Sequence, residues 1–379
     1  MKIYKKAFLP LGFAANGIPA GIKKSGKPDL ALFFSAEPAR AAVECTSNTI
    51  KAAPLKINQK YLKRNNAFQA IVVNSGNANC FTGRVGLSDA GRMTLAAAES
   101  LGIKKENVLV ASTGIIGKRL PLAKIQGAMP ALVQGLSAAN IARAKYAILT
   151  TDTFPKEITA RVNIGGRTVT ICGVAKGSGM IAPNMATMLA FIFTDADITR
   201  KALQSALKEA VEQSFNCISV DNCMSTNDTV IVLANGLSQN KRIESGKDLD
   251  AFSKALSAVC LELATMIVKD GEGATKFIRV RVDKAKTVHD ARRIALSIAH
   301  SDLFKTALYG ESPNFFGRVV AAAGASGVEV KEEAIKIKAS SLRKKEITID
   351  VSVNAGKAQA MVYTCDLTHE YIKINTEYN

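Results

Sequence analysis

The stretch "ITARVNIGGRTVTICGVA", residues 158–175, alternates apolar and polar side chains on both sides of Gly165-Gly166. Period-two patterning about a two-glycine centre predicts an antiparallel hairpin, because a tight turn of matching twist needs positive φ at both central positions. A hairpin here excludes a uniform series of βαβ units. Elsewhere strand-like and helix-like runs interleave. "DLALFFS", "AIVVN", "NVLVAS", "CISVDN", "DTVIVLANG" and "FIRVRVD" read as strands. A helix capped by Ser88 and stopped by Gly102 is expected, then two helical stretches between Leu120 and Leu149, broken near Gly135-Leu136-Ser137. In "ITRKALQSALKEAVEQSF", Leu203, Leu207, Ala210, Val211 and Phe215 line one face at helical spacing. Residues 249–269 form a long amphipathic helix, and two more helical stretches lie between about 287 and 323. "EITIDVSVNAGKAQAMVYT" predicts a second hairpin, turning at Asn354-Ala355-Gly356. The pattern is that of an α+β layered fold with mixed sheets.

A chain of 379 residues can bury a substantial core in one large or two medium domains. Its uninterrupted apolar runs are far shorter than the roughly 20 residues of a membrane span. Lys2, Lys5 and Lys6 precede an apolar stretch as in a signal peptide, but Pro10, Gly12 and Asn16 interrupt it. Seven cysteines form an odd set without a CxxC pair, which suits reduced thiols in a cytoplasm. The formal charge of +18 is carried by dispersed lysines and arginines without a basic arm or a nucleic-acid motif. A positive field that attracts anionic small substrates is the economical reading, with no nucleic acid and no membrane as partners.

Several chemistries drop out. His289, His300 and His369 are scattered and no HExxH or Cys/His cluster occurs, so no metal site is expected. A Ser-His-Asp triad stays open in principle, though no GxSxG elbow supports it. "STGIIGKRL" fails as a phosphate loop, since only two residues separate Gly114 from Gly117-Lys118 and Arg119 stands where a hydroxyl residue should. What survives is Thr113-Gly114 directly after "VLVAS". A hydroxyl and a backbone N–H at such a turn can hold a developing oxyanion.

"KGSGMIAPNMATMLAFIF", residues 176–193, places a permissive glycine loop and a small Ala186 immediately before Thr187 and a buried run. Threonine is a weak nucleophile without an adjacent base, and an N-terminal threonine brings its own α-amine, with a reference pKa of about 8. To expose it, the chain must cut itself between Ala186 and Thr187, through an N-to-O shift that a loop tolerant of strained turns permits. At this point the chain resembles the ornithine acetyltransferase family, the bifunctional glutamate N-acetyltransferases of arginine biosynthesis. "KGSGMIAPNMATML" is similar to that family's self-cleavage segment and "ASTGIIG" to its oxyanion segment. "NSGNANCFTG", "TTDTFPK", "STNDT", "KDGEGATK" and "CDLTHEYIKIN" match along essentially the whole chain.

The resemblance implies an α/β sandwich of the N-terminal-nucleophile type, cut into an α chain (1–186) and a β chain (187–379). Two of each would form a heterotetramer. It implies ping-pong transfer of acetyl from N²-acetylornithine through Thr187 to L-glutamate, with Thr113 and Gly114 as oxyanion donors. Lys176 would meet the shared α-carboxylate and Glu272 a substrate ammonium, with Thr153 and Asn375 as polar contacts. No cofactor is expected, and use of acetyl-CoA as a further donor stays open. An N-terminal-nucleophile amidase or aminopeptidase with water as acceptor is the runner-up, and an uncut basic interaction protein the non-enzymatic alternative. Three departures stand out: Asn222-Cys223 where the family has Gly and an acid, two phenylalanines in "SPNFFGR" where one tryptophan is common, and an end at Asn379 short of the usual hydroxyl residue.

Overall fold

The computed structural model describes residues 1–182 and 188–377. The chain forms two compact units, each assembled from separate stretches. The first comprises Met1–Gly177, Asn184–Ser214 and Met224–Leu263, and the second Ser178–Pro183, Phe215–Cys223 and Ala264–Asn379. The Ala186–Thr187 bond expected to divide the chain lies outside the described residues.

In the first unit nine strands build one sheet: β1 (Lys2–Tyr4), β2 (Phe13–Ile18), β3 (Leu30–Cys45), β4 (Phe68–Asn77), β5 (Val108–Ile115), β6 (Lys156–Ile164), β7 (Arg167–Lys176), β8 (Leu189–Thr194) and β9 (Thr229–Ala234). Their order is β1-β6-β7-β8-β9-β3-β4-β5, with β2 also on β3. The β6–β7 hairpin turns at Gly165 and Gly166, with φ of +57° and +81°, as its sequence requires. Strand β3 changes partners along its length: Leu30–Phe34 pair with β4, whereas Arg40–Cys45 pair with β9. Pro38 lies at this break, where its missing N–H costs no ladder bond.

Six helices belong to this stretch of chain: α1 (Ala53–Arg64), α2 (Gly83–Leu101), α3 (Leu122–Gln134), α4 (Ile141–Ala147), α5 (Arg200–Glu212) and α6 (Gly246–Lys269). Strand β8 is buried on both sides, which explains its unbroken apolar run. Phe191 and Phe193 pack on Phe33, with ring centroids 5.2 and 5.1 Å apart. On the opposite face Ile192 lies beside Gly173, and the missing Cβ there admits Val259 and Leu263 of α6. By length and composition α6 could cross a membrane, which a search for uninterrupted apolar runs does not reveal. Here Val259 and Leu263 are fully buried against the sheet, as in a core helix.

The second unit holds β10 (Phe277–Ala285), β11 (Lys336–Ala339), β12 (Glu346–Ser352) and β13 (Ala358–Cys365), ordered β11-β12-β10-β13. Helices α7 (Val288–His300), α8 (Asp302–Tyr309) and α9 (Phe315–Gly324) share one apolar core with this sheet, and α10 (His369–Glu377) follows β13.

Four local expectations need correction. Helix α2 starts at Gly83, so Ser88 is interior and caps nothing. "CISVDN" is no strand, because its backbone is taken by irregular partners: Ser219 N–H donates to Tyr363 O and Val220 N–H to Ile181 O. Three helices occupy 288–324, since Ser301 ends α7 and caps α8 by accepting from Phe304 N–H. Finally, β12 and β13 do not form a hairpin. Strand β10 inserts between them, parallel to β12 and antiparallel to β13, and the 354–356 turn donates to Lys284 O at the end of β10.

Close approach of α4 to β2 depends on Gly17, where a Cβ would sit 2.6 Å from Arg143 O. Gly17→Ala should cost about 1–3 kcal/mol through overpacking. The urea midpoint should fall with an unchanged m-value.

Candidate active site

In the first unit, Lys176 is the last residue of β7 and pairs in register with Leu189, the first residue of β8. Its side chain is 2 % exposed, and its ammonium donates to Thr150 Oγ1 at 2.7 Å and lies 3.7 Å from Asp152 Oδ2. The Asp152 side chain is fully buried and also receives Lys156 Nζ at 2.6 Å, Gly177 N–H at 2.6 Å and Thr150 N–H at 2.9 Å. Burial opposes ionisation of Asp152, but Lys176 and Lys156, with the hydrogen bonds, outweigh it and hold the carboxyl below its usual range. Two lysine ammoniums thus flank this one buried carboxylate. Thr153 is exposed one residue further on.

Thr113 is buried near the C-terminal end of β5, followed by Gly114. Gly114 has φ of +129°, and a Cβ would come 2.3 Å from the carbonyl carbon of Gly76 on β4. Only glycine fits there, so the backbone beside the Thr113 hydroxyl is held by a glycine-to-glycine strand contact.

Asn227 and Asp228 tie this segment to the start of β8. The Asn227 amide donates to Ser112 O at 2.8 Å and to Ala78 O at 2.7 Å. Asp228 Oδ1 accepts from Met188 N–H at 2.8 Å. Burial pushes the Asp228 carboxyl well above the carboxylate range, against the downward pull of the Met188 N–H and Lys176. Its Oδ2 has no hydrogen-bond partner among the described residues. Ala186 and Thr187 lie outside those residues; the structure places their successor, Met188, on this carboxyl.

In the second unit, Glu272 receives the Asn375 amide at 2.9 Å, and its own N–H donates to Ser178 O. A Cβ on Gly179 would lie 2.2 Å from Glu272 Oε2, so the carboxylate rests on bare backbone. Next in the chain, Met180 adopts a left-handed φ of +57°, held by Asp221 accepting its N–H at 2.6 Å. Such a conformation in a long side chain costs about 1–3 kcal/mol. Asn375 belongs to α10. Asn222, singled out in the sequence as a departure, has φ of +56°, a region asparagine tolerates best after glycine.

Thus Lys176, Thr113 and Gly114 share the first unit, while Glu272 and Asn375 touch in the second. Sequence reasoning missed Asp152 and Asp228, although each is the lone acid of a quoted motif. Asp152, with Lys156 one helical turn's spacing away, was the available signal.

Buried lysines on β6 and β7 and a threonine–glycine pair at the end of β5 form a scaffold that suits an acyl-transferring enzyme. The chain belongs to the ArgJ family, whose model matches residues 14–379. It is 45 % identical over 398 residues to the arginine biosynthesis bifunctional protein ArgJ of Caldanaerobacter subterraneus subsp. tengcongensis, covering 98 % of each chain. It is 46 % identical over 392 residues to that of Symbiobacterium thermophilum, covering 97 % of each. A solved structure of ornithine acetyltransferase from Mycobacterium tuberculosis, complexed with ornithine, is 36 % identical, covers 48 % of this chain and 97 % of its own, and has a TM-score of 0.45.

The raised Asp228 pKa means that the folded state holds this proton more tightly than the unfolded chain. Stability from this group is therefore lost as pH rises above the ordinary carboxylate value of about 4. Asp228→Asn should flatten that slope and match or exceed native stability near neutral pH, since it keeps an acceptor for Met188. Asp228→Ala strands the Met188 N–H and should cost about 1–3 kcal/mol. Thermal unfolding at about pH 5 and 8 checks both; an Asn variant clearly less stable than the native protein at pH 8 would mean that the carboxyl is ionised there.

Proposed function

We propose that this enzyme of arginine biosynthesis moves the acetyl group of N²-acetylornithine to L-glutamate, giving ornithine and N-acetylglutamate. The observation that carries the reading is the buried Lys156–Asp152–Lys176 trio. Two ammoniums beside one buried carboxylate suit the α-carboxylate common to both amino acids, and Lys176 pairs in register with Leu189, which follows Thr187 by two residues in the sequence.

Self-cleavage between Ala186 and Thr187 would free the Thr187 α-amine. That amine takes the hydroxyl proton as Oγ attacks the acetyl carbonyl. The C–N bond of acetylornithine breaks, the proton passes to the departing ornithine nitrogen, and an acetyl ester remains. The glutamate amine then attacks the ester, its C–O bond breaks, and Thr187 recovers its proton. Thr113 and Gly114 supply the oxyanion donors at both stages. Lys176 and Thr153 hold the α-carboxylate end, and Glu272 and Asn375 serve the donor's ammonium. The α (1–186) and β (187–379) chains would assemble as an α2β2 heterotetramer in the cytoplasm, without a cofactor; acetyl-CoA as a second donor is a separate assay.

Intact mass under denaturing conditions should show two fragments, the second beginning at Thr187. Thr187→Ala should give one full-length, inactive chain. An uncut active enzyme would overturn the mechanism, and acetylornithine turnover independent of glutamate would make it an amidase. Thr113→Ala should lower kcat by about 10²–10³-fold with little change in KM. An unchanged kcat would return Thr113 to the role of a turn residue.

A further inference from the structure

A cavity of about 730 Å³ opens in the first unit between the 17–28 segment, α4 and the Thr150–Thr153 turn. Lys23, Lys27 and Arg143 line it, with Tyr146 and Thr153, and Asp152 is the one carboxylate among its described lining residues. That carboxylate is already committed to Lys156 and Lys176. The cavity is therefore walled by cations whose charge its own lining does not balance.

Lys23 is the member built into the site. Asp29, fully buried, gathers the N–H groups of Ala20, Ile22 and Lys23 at 2.6, 2.6 and 2.9 Å and so fixes the segment that carries it. The Lys23 stem lies on Gly76, where a Cβ would meet its Cγ at 3.0 Å, and its ammonium donates to Pro28 O at 2.8 Å. Gly76 pairs in register with Gly114, so one strand spacing, about 4.8 Å, separates the surface under Lys23 from the oxyanion segment. Partial burial, with Lys176 and Lys27 nearby, lowers the Lys23 pKa to about 8, despite the opposing pull of Asp29 and Asp152. An anion delivered here would relieve that repulsion.

The donor and the acceptor share an α-carboxylate and differ in the side chain: acetylornithine ends in an ammonium, glutamate in a carboxylate. We propose that this cavity takes the side-chain carboxylate of the acceptor and that Lys23 selects glutamate over uncharged amino acids. The inference rests on the reading that glutamate is the acceptor. A cationic wall attracts the acceptor's side chain and repels the donor's, so one enzyme discriminates two substrates at two places.

The test uses the full processed enzyme, with acetylornithine as donor and either glutamate or glutamine as acceptor. Lys23→Met should raise the glutamate KM about 10–100-fold, the loss expected for a charge-assisted contact, and erase most of the preference over glutamine. The acetylornithine KM should move far less, and Lys23→Arg should restore most of the preference. Parallel increases in both KM values, or an unchanged glutamate-to-glutamine ratio, would overturn the inference. Should Lys23→Met yield no folded enzyme, Arg143→Gln on the cavity wall carries the test, with a smaller but equally selective rise expected and a parallel one overturning it. Failure of the underlying reading shows separately, as native enzyme that transfers no acetyl to glutamate.

Discussion

Around the end of β7 everything is arranged about one buried carboxylate, Asp152. It cannot be dehydrated without compensation, and the chain supplies two ammoniums and two backbone N–H groups. These partners come from the 150–156 segment and from Lys176-Gly177, so satisfying one charge draws the strand end and the preceding turn into one fixed arrangement. The same carboxylate lies 3.7 Å from the Lys176 ammonium, whose side chain is almost wholly out of water.

A second constraint is steric. Gly76 and Gly114 face each other across β4 and β5 with no room for a side chain on Gly114. The bare backbone carries Thr113 on one side and supports the Lys23 stem on the other. One pair of glycines therefore sets both the course of the backbone beside Thr113 and the surface on which the Lys23 stem lies.

How much of this is legible in the sequence depends on whether the determinant is local. The β6–β7 hairpin is legible because Gly165-Gly166 and the alternation around it lie within 18 residues. The apolar run of β8 is legible as a buried strand, since burial on both faces demands it. The pairing of β12 and β13 misleads for the opposite reason. A turn at 354–356 is a local property, whereas insertion of β10, from about 70 residues earlier, is decided by long-range packing that no window contains. The site divides in the same way. Lys176, Thr113 and Glu272 are expected from motifs, whereas Asp152, Asp228 and Lys23 stand out only through burial and neighbours distant in sequence. Gly179 looks like a flexible loop residue and proves to be the surface on which Glu272 rests.

The position of β8 and β9 in the large sheet has a consequence for a chain cut before residue 187. The two strands pair with each other, and on their outer sides β8 bonds to β7 and β9 to β3. The strands that begin the C-terminal fragment are thus a wedge driven into the middle of a sheet otherwise made by the N-terminal one. Severing the peptide bond would remove a covalent link and leave two full ladders of hydrogen bonds, with Phe33 still clasped by Phe191 and Phe193. Neither fragment could complete its sheet alone. Were the chain cut there, two ladders of hydrogen bonds would still hold the C-terminal fragment inside the N-terminal one, so that the covalent link would be needed to assemble the sheet and not to keep it.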